Sequence, residues 1–219
     1  MDDGVDGAKE RTADAGANAA DASDPVAEAL REDPTMAALI DRHGRLSVEP
    51  AADEFGRLCT SIVNQQLSTA SANAIRERFL DVLGGEPTPD RVLAADEAAL
   101  REAGLSGTKV DYLRNVATAF RDDERDFTRA GLAGVSDDEV VDRLTEIRGV
   151  GEWTARMYLI FALGREDVLP LGDLAVRKGI EQAYSDGAEL SRAEMREVGE
   201  TWRPYRSYGT QYIWAEYES

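Results

Sequence analysis

From residue 25 to the C-terminus, apolar residues recur with the spacing of amphipathic helices. In the segment AADEFGRLCTSIVNQQ the spacing i, i+3, i+4, i+7, i+8 places five side chains on one helix face, namely Phe55, Leu58, Cys59, Ile62 and Val63. No segment shows the two-residue alternation of a strand or a clear hairpin turn. The pattern therefore predicts an all-α fold of roughly nine or ten helices without an internal repeat.

The first 24 residues differ in composition from the rest of the chain. They are mostly Ala, Asp and Gly, with almost no large apolar side chain, so they cannot bury a core. The remaining length is enough for one large domain or two small lobes. We predict a disordered acidic tail over residues 1–24 and a helical domain over residues 25–219.

Several functional classes are excluded by what the chain lacks. It has no run of 18 apolar residues, so no membrane span is expected. The N-terminal MDDGVDGAKE carries acids where a secretion signal needs basic and then apolar residues. A single cysteine, Cys59, and a single histidine, His43, rule out an internal disulfide and a Cys/His metal site. We expect a cytoplasmic protein without a cofactor and with Cys59 in its core.

The charge is strongly acidic, with 43 Asp and Glu against 25 Lys and Arg, a net charge of −18. Such a protein is normally repelled by nucleic acid. Only three bases are lysines, and the surplus of Arg, Asp and Ala is typical of adaptation to a salt-rich cytosol. At 1 M salt, charges are screened within about 3 Å. A DNA ligand is therefore compatible with this charge if local contacts provide the binding.

A glycine–valine–glycine turn separates two helical runs in LTEIRGVGEWTARMYLIFALGREDVLPLGDLAV, residues 144–176. Gly149 and Gly151 permit positive φ and close backbone approach, and the next helix would point free N–H groups at a phosphate. An ordinary αα-hairpin has the same pattern, so the turn alone leaves both alternatives open. Trp153, two residues into the second helix, makes the motif more specific.

Asp173 follows a break made by Pro170 and Gly172 and precedes a helical run. Its position is that of a helix N-cap or first-turn acid, and most such residues only cap. The alternative is a carboxylate at the mouth of a cleft, where it could stabilise an oxocarbenium-like sugar or activate water. The two roles are compatible, because a capping carboxylate has a fixed orientation.

Two further stretches allow a structural and a functional interpretation. In SIVNQQLSTASA, the amides of residues 64–66 precede Ser68; they form either a helix end followed by an N-cap, or a polar wedge that enters a DNA stack. The C-terminal TWRPYRSYGTQYIWAEYES contains two Trp and four Tyr. These rings either close the core or line a pocket for a flat ligand, where stacking contributes about 1–3 kcal/mol per base.

Taken together, four segments resemble the DNA-3-methyladenine glycosylase II family, alkyl-base DNA glycosylases of the helix-hairpin-helix superfamily. The segments are SIVNQQLSTASANAI, GLSGTKVDYL, LTEIRGVGEWTARMYLIFALGREDVLPLGDLAV and WRPYRSYGTQYIW. They occur in the family's order over roughly residues 35–217. The resemblance implies a two-lobed fold with a cleft between the lobes, a glycine-rich hairpin and a catalytic aspartate, which Asp173 matches.

The resemblance also implies roles for other residues. The hairpin that donates N–H groups to a DNA phosphate, sometimes with a bound Na⁺ or K⁺ at Gly149 and Gly151, matches Gly149, Val150 and Gly151. The aromatic base pocket matches Trp153 and Trp214; Met157 stands where some relatives carry a tyrosine. The intercalating wedge matches Gln66, with the adjacent Leu67 as the other candidate.

The implied activity is excision of alkylated purines such as 3-methyladenine from double-stranded DNA by a monomer, leaving an abasic site. Lyase-competent relatives carry a lysine two residues after the second hairpin glycine, where this chain has Trp153, so no strand cleavage is expected. The iron–sulfur branch needs four cysteines and does not apply. Three alternatives remain: excision of a deaminated or oxidised purine, a DNA-binding module without catalysis, and a purely structural helical protein.

Overall fold

A computed structural model describes residues 24–219 apart from 66, 68 and 123. The described residues form twelve helices and no strand. The helices are α1 Pro25–Leu30, α2 Pro34–His43, α3 Glu54–Asn64, α4 Thr69–Leu83, α5 Pro89–Ala94, α6 Glu97–Glu102, α7 Gly107–Phe120, α8 Asp137–Thr145, α9 Glu152–Phe161, α10 Leu174–Ser185, α11 Arg192–Glu200 and α12 Arg206–Tyr217. The all-α prediction is confirmed; the tail predicted over residues 1–24 lies outside the described residues except for Asp24.

The helix count exceeds the predicted nine or ten because residues 25–43 form two helices. Asp24 accepts hydrogen bonds from the backbone N–H groups of residues 26 and 27, and Asp33 from those of 35 and 36. Each aspartate precedes a proline, which is favoured at the first helical position because its missing N–H is not needed there. The two Asp-Pro pairs therefore start two helices in succession.

The predicted apolar face of α3 is buried as expected. Its five members, Phe55, Leu58, Cys59, Ile62 and Val63, are all at most 5% exposed. Burial raises the pKa of the Cys59 thiol, so this side chain is an apolar core residue. Ser136 is the N-cap of α8, and its hydroxyl accepts from the backbone N–H of Glu139 at 3.3 Å. The N-cap predicted at Ser68 lies outside the described residues.

The buried residues form two separate hydrophobic cores. The first core, called lobe A here, is built by α3–α9 and the loops between them. The second, lobe B, is built by α1, α2 and α10–α12. Tyr208 and Trp214 on α12 are half-buried and pack against both cores. The chain passes from lobe A to lobe B between α9 and α10, and the half-buried rings of α12 lie where the two cores meet.

Helices α10 and α12 approach each other closely in lobe B. A Cβ atom at Gly179 would lie 2.8 Å from the backbone oxygen of Ile213 and 2.6 Å from its Cγ2. Only glycine allows this distance, so the two helices are fixed to one another by backbone contact. No helix in the described part of the chain is long and apolar enough to cross a membrane.

Candidate functional site

The glycine–valine–glycine turn connects α8 to α9 in lobe A. Gly149 has φ +109°, and a Cβ there would lie 2.3 Å from the ring of Tyr112. Both observations require glycine at this position. Val150 is buried and its backbone N–H donates to the oxygen of Ile147 at 2.9 Å. The turn is therefore a fixed part of the lobe A core.

Gly151 is different because it faces open space. It is the N-cap of α9 and, among the described side chains, none caps this helix end. A Cβ at Gly151 would meet no described atom within 4 Å. The first N–H groups of α9 therefore point outward from an exposed glycine, which is the arrangement that binds anions at helix N-termini.

Two amide side chains hold the turn from the outside. Asn115 on α7 donates to the backbone oxygen of Arg148 at 3.0 Å. The Gln65 amide lies 3.5 Å from the oxygen of Gly149 and 3.4 Å from the hydroxyl of Thr154. The turn is thus connected to α7 and to the end of α3, the segment that carries the two wedge candidates.

Asp173 is the N-cap of α10, as the sequence predicted. Its Oδ1 accepts from the backbone N–H of Val176 at 3.0 Å. Arg177 holds the loop that leads into α10, because its guanidinium donates to the backbone oxygens of Leu171, Gly172 and Asp173 at 3.0–3.1 Å. The carboxylate is therefore fixed in orientation at the entry to lobe B.

Both tryptophans of the predicted base pocket point their indole N–H at this carboxylate. Trp153 Nε1 donates to Asp173 Oδ2 at 2.7 Å, and Trp214 Nε1 lies 3.4 Å from Oδ1. Trp153 comes from lobe A and is 40% exposed, whereas Trp214 and Asp173 belong to lobe B. The two lobes therefore meet at one carboxylate between two aromatic rings.

A third ring and a cation extend this cluster into lobe A. Phe161, at the end of α9, stacks on Trp214 with ring centroids 5.6 Å apart and planes inclined by 22°. The guanidinium of Arg57 lies 4.8 Å from the Phe161 centroid, and burial lowers its pKa. Neither residue was predicted from the sequence. Phe161 lies inside the recognised motif, whereas nothing local marks Arg57.

The other predicted site residues are more dispersed. Met157 is 5% exposed and belongs to the lobe A core. Leu67 is 36% exposed, as a wedge residue must be; Gln66 lies outside the described residues. Leu174, directly after Asp173, is 57% exposed and was not predicted as a site residue. In the described part of the chain, no group of three or more His, Cys, Asp or Glu side chains is placed to hold a metal ion.

Comparison with known proteins identifies relatives of this architecture. The family model described as "HhH-GPD superfamily base excision DNA repair protein" matches residues 59–204. The DNA-3-methyladenine glycosylase 1 of Schizosaccharomyces pombe is 32% identical over 171 residues, which span 74% of this chain and 72% of that protein. The family match covers the hairpin, α9 and Asp173.

Solved structures agree with the family match. The crystal structure of a DNA-3-methyladenine glycosidase from Bacillus halodurans superposes with a TM-score of 0.79 at 31% identity, over 89% of this chain and 90% of that one. The S. pombe 3-methyladenine DNA glycosylase in complex with abasic DNA gives a TM-score of 0.71 at 29% identity, over 86% and 94%. The chain belongs to the HhH-GPD superfamily of base excision DNA repair proteins.

Proposed function

We propose that this protein is a monofunctional DNA glycosylase that removes alkylated purines such as 3-methyladenine from double-stranded DNA. The observation that carries the proposal is the carboxylate of Asp173 held between the indoles of Trp153 and Trp214. The names of the S. pombe and B. halodurans relatives support the same lesion class. Met157 lies one helical turn after Trp153 and is buried in the lobe A core. We expect it to limit the size of the base pocket from the lobe A side.

Recognition begins with the duplex backbone. The uncapped start of α9 at Gly151 would bind one phosphate through backbone N–H groups. Arg148 is exposed, and its guanidinium forms no ion pair with any described carboxylate. The Arg148 guanidinium and the N-terminus of α9 would thus offset the net charge of −18 where the DNA is bound. We further propose that the enzyme works in a salt-rich cytoplasm and acts as a monomer.

The damaged nucleotide must leave the stack before it can reach Asp173, at a cost of a few kcal/mol. Leu67 or Gln66 would fill the space that it vacates. Alkylation at N3 or N7 gives the purine a positive charge, which strengthens its interaction with the electron-rich faces of the two tryptophans. Selectivity in this mechanism comes from cation–π stacking and from easier unstacking of damaged pairs.

Excision breaks the bond between the base nitrogen and C1′ of the sugar. The alkylated base leaves with the bonding electrons, and the positive charge moves to the sugar, where the Asp173 carboxylate stabilises it. Water adds to C1′ and releases its proton, which yields the free base and an abasic site. Because the base is already cationic, it leaves without protonation by an acidic side chain.

The absence of lyase activity is supported by the lysines of the chain. Trp153 occupies the position at which lyase-competent relatives carry the reactive lysine. Of the two lysines in the described residues, Lys109 donates to backbone oxygens and Lys178 is paired with Glu181. Neither contacts Asp173, so an amine that forms a Schiff base with the sugar is not provided there.

A monovalent cation at the hairpin would fit the donor set of this turn. The backbone oxygen of Gly149 receives only the 3.5 Å contact from Gln65 within the described chain, so it retains acceptor capacity. The backbone oxygens of Gly149 and Gly151 would hold Na⁺ or K⁺, which prefer oxygen ligands. Such an ion would add positive charge next to the bound phosphate.

Release of free base is the decisive measurement. Duplexes carrying 3-methyladenine, 7-methylguanine, hypoxanthine or 8-oxoguanine are incubated with the protein at high salt, and the released bases are separated chromatographically. We expect methylated purines to be released and the strand to remain intact until alkali is added. Release of only hypoxanthine or 8-oxoguanine would reassign the substrate, and binding without any release would leave a DNA-binding module.

A further inference from the structure

Lysine is rare in this chain, with three lysines among 25 basic residues. One of them, Lys109, lies in the segment GLSGTKVDYL, for which the proposed function provides no role. It is in the first turn of α7, where its backbone N–H donates to the hydroxyl of the N-cap Ser106 at 3.2 Å. The helix start therefore fixes the point from which this side chain extends.

The Lys109 ammonium ends at the C-terminus of α3. It donates to the backbone oxygens of Val63 and Gln65, both at 2.7 Å. These oxygens belong to the last turn, where carbonyls lack intrahelical partners and the helix dipole is negative. A compact ammonium reaches two converging carbonyls, whereas a planar guanidinium favours a parallel pair of acceptors. This geometry explains a lysine in a chain that otherwise favours arginine.

The same residues connect onward to the DNA-facing parts. The side chain of Gln65 reaches the Gly149 oxygen and the Thr154 hydroxyl. Leu67 donates its backbone N–H to Asn64 at 3.2 Å and is exposed. Lys109 thus joins α7 to the end of α3. This end is followed by the wedge candidate Leu67 and contacts the hairpin through Gln65.

We propose that Lys109 is a positioning residue for base flipping, which holds the end of α3 so that Leu67 enters the duplex at a fixed distance from the hairpin. The inference rests on the proposed function. Lys109 itself touches neither the base nor the sugar. Its loss should therefore leave attraction to DNA largely intact while reducing the fraction of bound complexes in which the nucleotide is extruded.

Lys109→Met tests this, because methionine keeps most of the side-chain length and removes the charge and the donors. Flipping is followed by the fluorescence of 2-aminopurine placed beside the lesion, and compared with base release and with affinity for undamaged duplex. A hydrogen bond from a charged group typically contributes enough for a roughly tenfold effect. We expect about this loss in flipping and release, an affinity change below about threefold, and partial recovery in Lys109→Arg.

Arg78→Met is the matched control, since Arg78 donates to the backbone oxygen of Ala103 at 2.8 Å in the same lobe and forms no hydrogen bond with the described residues of α3 or of the hairpin. It should leave flipping and release unchanged. If Lys109→Met behaves like this control, or loses affinity, thermal stability and flipping in parallel, Lys109 is only a helix cap and the inference is wrong. Failure of the wild-type protein to release any base would instead refute the proposed function, while the fluorescence comparison would still decide the role of Lys109.

Discussion

The N-termini of α9 and α10 face the same site but are completed in opposite ways. At α9 the N-cap is Gly151, and no described side chain accepts from its first N–H groups. At α10 the N-cap is Asp173, whose Oδ1 accepts from Val176 at 3.0 Å. One helix end is open to an anion from outside, and the other already contains an anion of the protein.

Under the proposed function, the difference separates DNA binding from catalysis. An open N-terminus can bind a phosphate of any DNA sequence, whereas a capping carboxylate keeps one charge at one place. Trp153 links the two ends, since it is the second residue of α9 and donates its indole N–H to the cap of α10 at 2.7 Å. Correct seating of α9 on DNA would therefore be transmitted to the orientation of Asp173.

The largest expected effect is that of Asp173→Asn. Asparagine is an equally good N-cap, so α10 and the folded state should be retained while the negative charge is lost. We expect base release to fall by about 10²–10³-fold, in the range seen when a stabilising group for a charged transition state is removed. Single-turnover release of 3-methyladenine measures the effect, and unchanged binding to abasic duplex is the control. Normal release by this variant would remove Asp173 from the mechanism.

A smaller effect is expected from Trp153→Phe, which keeps an aromatic face and removes the N–H that contacts Asp173. Stacking with the base should persist, while the carboxylate loses its shortest hydrogen bond at the site. We expect release to fall by about tenfold, with the change in kcat rather than in KM. Trp214→Phe, which removes the longer 3.4 Å contact, should cost less; unchanged release in both variants would show that only the rings matter.

The smallest expected effect is that of Gly151→Ala. The added methyl group meets open space in the free protein but would lie where a phosphate approaches. We expect an unchanged Tm, affinity reduced by a few-fold, and a salt slope of log Kd reduced by about one unit for the lost phosphate contact. Gly149→Ala is the contrasting variant, because its Cβ would clash with Tyr112 at φ +109°. The resulting strain, about 1–3 kcal/mol of folding free energy, should lower its Tm. An equal fall in Tm for both variants would contradict this distinction.

Much of the architecture follows from local sequence. The apolar spacing predicted α3 and its buried face, and Asp173 was recognised as a cap because capping uses short polar side chains at fixed positions. The turn at Gly149 was also visible, since glycine marks positive φ. The helices in residues 25–43 were not predicted separately, because the two Asp-Pro pairs start two helices within a short stretch.

The contacts within the site depend on tertiary structure and left little trace in sequence. The convergence of Trp153 and Trp214 on Asp173 joins three helices, and periodicity does not report which ring faces which carboxylate. Arg57 lies on the helix whose apolar face was recognised, yet its contact with Phe161 depends on how α3 meets α9. Such positions become visible only once the two lobes are placed together.

The close backbone contact between Gly179 and Ile213 has a further consequence. Because it binds α10 and α12 into one unit, Asp173 and Trp214 move together whenever the lobes shift. Besides the packing of Tyr208 against both cores, a change in lobe spacing would alter the hydrogen bond from Trp153 and the stacking of Phe161 on Trp214. Both contacts involve an indole at the seam, whereas the third tryptophan, Trp202, is buried within lobe B. The intrinsic tryptophan fluorescence of the unlabelled protein would therefore respond to a change in the distance between the two lobes.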